Sequence, residues 1–125
     1  MESNDYEPGD ILGLAALRGV RELRLLRGGV TDDMLKAVLE LPQITSIHLR
    51  DCQQFTGRGL AHLIAHPSIT SVKLEDLDQI TDADVLQLTA MKRLSSLNVL
   101  NCKQITPASF DAFRRARPEV KVERQ

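Results

Sequence analysis

A threonine recurs at Thr31, Thr56, Thr81 and Thr106, each 25 residues after the last, and no other feature restricts the fold so tightly. Its surroundings recur with it. An apolar residue precedes each (Val30, Phe55, Ile80, Ile105), and two more follow at +4 and +7: Leu35 and Val38, Leu60 and Leu63, Val85 and Leu88, Phe110 and Phe113. An alternating stretch opens each unit: Leu23-Arg24-Leu25, Ile47-His48-Leu49, Val72-Lys73-Leu74 and Leu97-Asn98-Val99. Alternation of period 2 reads as a strand with one buried face, and the +4/+7 spacing reads as one apolar stripe of a helix. A single strand and helix cannot bury their own apolar faces, so the copies must stack into a continuous core. The expected fold class is α/β: four stacked strand-turn-helix units forming a solenoid with a parallel sheet.

Within a unit, each threonine is placed to cap a helix N-terminus, where its hydroxyl can accept a first-turn N–H. Asp32, Asp33, Asp82 and Asp84 follow in first turns, where the helix dipole favours negative charge, and Pro107 takes the first helical position after Thr106. Breakers or basic residues close the helices at Pro42, His66-Pro67, Lys92-Arg93 and Arg117-Pro118. Cys52 and Cys102 share one slot in the strand exit, and Leu77 fills the same slot between them. Strands two steps apart set those cysteines at about 10 Å, too far for a disulfide, so both are expected free, buried and unreactive. Residues 1–9 read as a disordered leader and 10–19 as a capping half-repeat with a helix over 11–17. Residues 20–119 then hold the four repeats, and 120–125 a terminal strand, Val120-Lys121-Val122, with a charged tail.

Composition sets the function classes. Net charge is −1, aromatic residues make up 3 % and there is no Trp, so nucleic acid finds neither a basic field nor a stacking platform. No apolar run reaches the length of a membrane span. Neither nucleic acid nor membrane is expected as a partner. The polar, acidic start is unlike a secretory leader, which makes the cytoplasm the expected location, with nucleus or organelle as alternatives.

The pattern L-x-x-L-x-L-x-x-C-x-x-I-T-D-x-x-L-x-x-L, best matched over Ile44–Leu63 and Leu94–Phe113, resembles the cysteine-containing class of leucine-rich repeats. The resemblance covers residues 11–122. It implies a right-handed horseshoe arc with the parallel sheet on the concave face and helices on the convex face. Repeats of this class are similar to the substrate-binding halves of F-box proteins in ubiquitin ligases, to a small mitochondrial factor associated with ATP synthase, and to many bacterial proteins. About ten residues precede the repeats where an F-box would need roughly 40, so a stand-alone ligase receptor is not expected.

Stacking in register turns equivalent positions into rows. Gln54, Gln79 and Gln104 form one such row, Ser46, Ser71 and Ser96 a second, and Asp51, Asp76 and Asn101 a third, all read as structural ladders. The outward strand positions are the candidate binding surface. One row holds Arg24, His48, Lys73, Asn98 and Lys121; the next holds Leu26, Arg50, Glu75 and Leu100, with Glu123 beyond. His62 and His66 share a helix face, but a third ligand for zinc is missing and both are expected at the surface. No nucleophile, phosphate-loop or dinucleotide motif is present, and the carboxylates fall at caps and turns. The chain is therefore expected to be no enzyme and to carry no cofactor or metal. The function expected is a monomeric protein–protein interaction module that binds another protein through the strand face. The alternative is an assembly or adaptor factor of a larger complex that makes contact through helices or edges.

Overall fold

The alternating stretches become strands whose inward residues align across the whole sheet. The computed structural model describes residues 3–6, 21–26, 43–52, 56–66 and 68–124, with the backbone alone for 3–6 and Leu26. In chain order the elements are β1 (Ser3–Tyr6), β2 (Glu22–Leu26), β3 (Ser46–Arg50), α1 (Gly57–Ile64), β4 (Ser71–Glu75), α2 (Asp82–Gln87), a 3-10 turn (Leu88–Ala90), β5 (Ser96–Leu100), α3 (Pro107–Ala116) and β6 (Lys121–Arg124). All six strands lie in one parallel sheet, each beside its sequence neighbours. From β3 to β5 the pairing joins residues 25 apart, as in Ile47–Val72–Leu97. Between β2 and β3 the step is 24, as Glu22 pairs with Ser46, because the first unit is one residue shorter. The capping half-repeat over 10–19 and the helix after Thr31 lie outside the described residues.

Residues 3–6 correct the expectation of a disordered leader over 1–9. They form β1, paired in parallel with Glu22–Leu25. No apolar pattern foretells this strand. Backbone bonding holds it, by closing donors and acceptors that β2 would otherwise present at an open edge.

One face of the sheet is core. Leu23, Leu25, Ile47, Leu49, Val72, Leu74, Leu97 and Val99 are all at most 2 % exposed. Leu60 and Leu63 of α1, Val85 of α2, Leu88, and Phe110 and Phe113 of α3 belong to the same buried cluster. The +4/+7 stripe is thus the surface by which the helices cover the sheet, and each buried side chain of this size contributes about 1.5–3 kcal/mol.

The strand exits repeat one device. Asp51, Asp76 and Asn101 have φ of 53°, 54° and 52°, the left-handed region that Asn and Asp tolerate best. The Asn101 amide donates to the Asp76 carboxylate at 2.7 Å, tying two exits together. Directly after them, Cys52 and Cys102 are free and buried. Cys52 Sγ lies 3.4 Å from the Leu25 carbonyl and Cys102 Sγ 3.7 Å from that of Leu74, each reaching one strand back. Burial pushes the Cys102 thiol pKa up. Leu77, wholly buried, fills the slot without a donor.

Other ladders differ from the expected ones. Among the described residues, Gln79 and Gln104 are exposed and make no hydrogen bond to each other, and Gln54 lies outside the described residues. The hydroxyl ladder that does form stands just before the strands. Thr45 donates to the Arg21 carbonyl at 3.3 Å, Thr70 to that of Thr45 at 3.3 Å, and Ser95 to that of Thr70 at 3.1 Å. The half-buried Ser46, Ser71 and Ser96 face the open side of the sheet, and their hydroxyls make no hydrogen bond among the described residues.

Candidate functional site

The sheet face away from the helices presents three rows, set by the strand register. Arg24, His48, Lys73 and Asn98 stand side by side on β2 to β5. The register puts Asp5 beside Arg24 at one end and Glu123 beside Asn98 at the other. This corrects the placement of Lys121, which pairs with Ser96 and extends the serine row instead. A shift of two residues changes the row but keeps the face, since side chains alternate with period 2. Arg124 then falls in line with the core residue Val99, and its guanidinium rests on the Phe110 ring at 5.6 Å from the centroid. The remaining row is Leu26, Arg50, Glu75 and Leu100, with only the backbone described for Leu26.

His48 is the centre of this face, with 15 % of its side chain exposed. Its Nε2 is 2.9 Å from Glu75 Oε1. Burial holds its pKa below the ordinary 6.5; Lys73 and Arg24 push the same way, while the Glu75 contact opposes them. The neutral ring must then donate its Nε2–H to Glu75, which leaves Nδ1 as an acceptor. Glu75 also faces Arg50, Nε to Oε2 at 3.8 Å, and Arg50 Nε lies 3.9 Å from Asp76 Oδ2. Arg50 keeps 53 % of its side chain in solvent, so this pair contributes little to stability and more to the pattern of charge. Lys121 Nζ is 3.1 Å from Glu123 Oε1. A depression of about 320 Å³ runs along the Arg24–His48–Lys73–Asn98 row and is bordered by Glu22, Ser46 and Ser71.

The histidine pair does not behave as a pair. His66 is 5 % exposed, which corrects the expectation that it lies on the surface, while His62 is half-buried. The Nδ1 of His66 accepts from the Ser68 N–H at 3.1 Å, and the Ser68 hydroxyl donates to the Ile44 carbonyl at 2.6 Å. His66 is therefore a packed residue that ties the end of α1 to the strand before it. A second hollow, about 300 Å³, is lined by Ile64, Ala65, His66, Ala90, Lys92 and Arg93. Among the described residues no three His, Cys, Asp or Glu side chains cluster as a metal site would require. No helix among them is long and apolar enough to cross a membrane.

Sequence reasoning missed Arg117. Its Nη1 donates to the carbonyls of Thr89 at 2.7 Å and Met91 at 2.8 Å, and Nη2 reaches those of Lys92 and Leu94 at 3.4 and 3.5 Å. Its Nε holds Glu119 at 2.6 Å. From the sequence, Arg117-Pro118 reads only as the close of a helix. In the structure the arginine closes the chain end of the unit before it.

No known family model matches this chain, and no curated protein does. Seven solved chains match it. One belongs to the crystal structure of the Rad7 and Elc1 complex in yeast, with a TM-score of 0.61 and 19 % identity over 94 % of this chain. At that identity the likeness is one of fold. The match takes in 31 % of the yeast chain, so this chain spans about a third of its length.

Proposed function

We propose that this chain is a cysteine-containing leucine-rich-repeat solenoid that acts as a non-catalytic protein-interaction module. It binds a partner protein through the open face of its sheet. The observation that carries the reading is the register. Equivalent polar residues stand in unbroken rows across strands whose other faces are sealed by helices. Such a surface grows with each stacked unit and suits an extended partner. The fold likeness to a chain crystallised in a two-protein complex agrees with this role. The depression is lined by polar and charged side chains of both signs, Glu22, Arg24, His48 and Lys73 among them, an arrangement suited to recognition.

Replacing Arg24, Arg50, Lys73 and Glu75 together by alanine tests the reading. Affinity purification with quantitative mass spectrometry from the native source should recover a partner with the unchanged chain and lose it with the variant. Retention of every recovered protein would overturn the assignment. Crosslinks concentrated at Arg58, His62 and Arg115 would instead support an adaptor that makes contact through its helices.

A further inference from the structure

We infer that the depression on the open face receives acidic side chains from an extended segment of the partner, with Lys73 as the anchoring charge. This rests on the interaction reading above and gives the partner a chemistry. Two other cations of the face already have acidic neighbours. Arg50 lies near Glu75 and Asp76, and Lys121 holds Glu123 at 3.1 Å. Lys73 makes no ion pair among the described residues and lines the depression with Arg24 and His48, the one carboxylate of the lining, Glu22, standing on β2 in register with Ser46.

The groups around Lys73 share a need. The hydroxyls of Ser46 and Ser71 and the amide of Asn98, all on the rim, make no hydrogen bond among the described residues. A carboxylate accepts only, with about four lone-pair sites, so it can take the ammonium, a hydroxyl and an amide N–H together. A cationic side chain would meet Lys73, and an apolar one would leave the donors without water or partner. Arg24 and Lys73 are two strands apart, about 10 Å, which an extended chain covers in about three residues. Acidic residues spaced about three apart therefore reach both.

His48 adds a pH signature. The groups facing it are Arg24 from β2 and Lys73 and Glu75 from β4. In the free chain burial holds the pKa of His48 below its ordinary value. A bound carboxylate offsets the two cations and favours its protonated form. Binding then takes up a proton, so affinity rises as pH falls from 8 towards 6.

The test measures fluorescence anisotropy of labelled hexaglutamate and hexaglutamine peptides with the full chain at low salt. Hexaglutamate should bind and hexaglutamine should not, with tighter binding at the lower pH. Lys73→Glu should weaken binding about tenfold or more, Lys73→Gln less, and the exposed distant control Lys103→Glu by less than about twofold. Unchanged urea midpoints in these surface variants exclude unfolding as the cause. Equal binding of both peptides, or no loss in Lys73→Glu, overturns the proposal, as does tighter binding of a labelled oligonucleotide at the same residues. If the alanine variant loses its partner while hexaglutamate fails to bind, the face reading stands and the acidic partner falls. If hexaglutamate binds but the alanine variant keeps every partner, both fall.

Discussion

Four threonines in one capping position suggested four copies of one hydrogen bond, and the described ones divide into two kinds. Thr56 accepts from the Arg58 N–H at 3.3 Å, as its position predicts. Thr81 forms a capping box with Asp84, its N–H and hydroxyl lying 2.9 and 3.1 Å from Asp84 Oδ2. Thr106 gives both to Asp82 of the preceding unit, each at 2.6 Å. That clamp holds the Asp82 pKa below the ordinary 3.8, chiefly through the Thr106 hydroxyl. A folded-state value below the unfolded one means that the unfolded chain binds the proton more readily. The stability Asp82 contributes is therefore present above about pH 4 and lost as pH falls through its folded value. Asp82→Asn should lower stability at neutral pH by about 1 kcal/mol and lose less on further acidification than the unchanged chain. Urea unfolding at both pH values checks it, and parallel acid profiles would refute the clamp.

Between elements, the contact of α1 with α2 depends on a missing side chain. A Cβ on Gly57, the first residue of α1, would overlap the Asp84 carboxylate. Asp84 has little freedom to withdraw, because Thr81 holds Oδ2 and the Gln87 amide holds Oδ1 at 3.2 Å. The glycine is there for close approach. Gly57→Ala should cost about 1–3 kcal/mol alone and close to nothing beyond Asp84→Ala when the two are combined. A double-mutant cycle by denaturant unfolding reads that coupling, and additive losses would show that the two residues do not meet. Arg117 works at the same scale, since one guanidinium closes four carbonyls of the neighbouring unit where a lysine's point charge could not fork.

For the whole molecule, each strand bonds only to its sequence neighbours, so a strand's contribution depends on how many neighbours it has. β4 lies within the sheet and β6 at its edge. Leu74 is wholly buried, while Val122 is only partly covered. Leu74→Ala should cost about 2–5 kcal/mol by opening a cavity between two packed strands. Val122→Ala should cost about 1 kcal/mol, because the edge lets water fill the space. Urea unfolding of both variants measures the gradient, and equal losses would mean that the sheet does not weaken towards β6.

The sequence by itself determined whatever follows from local period. Alternation and the +4/+7 stripe located β2 to β5 and the buried faces of α1 to α3, because burial of apolar surface depends on spacing along the chain. It also placed Arg24, His48, Arg50, Lys73, Glu75, Asn98 and Leu100 on one sheet face, since parity alone assigns a face. Parity could not assign a row. Only pairing in space moved Lys121 beside Ser96 and set Glu123 beside Asn98. The tertiary structure likewise decided β1, whose pairing with β2 is a backbone ladder that no apolar pattern foretells. It buried His66, joined His48 to Glu75 across 27 residues, and spent Arg117 on carbonyls 23 to 28 residues away. These are contacts between units, and their partners are chosen by stacking. A repeat reveals in its sequence what each copy does alone, and the charge pattern of the open sheet face arises only where copies meet.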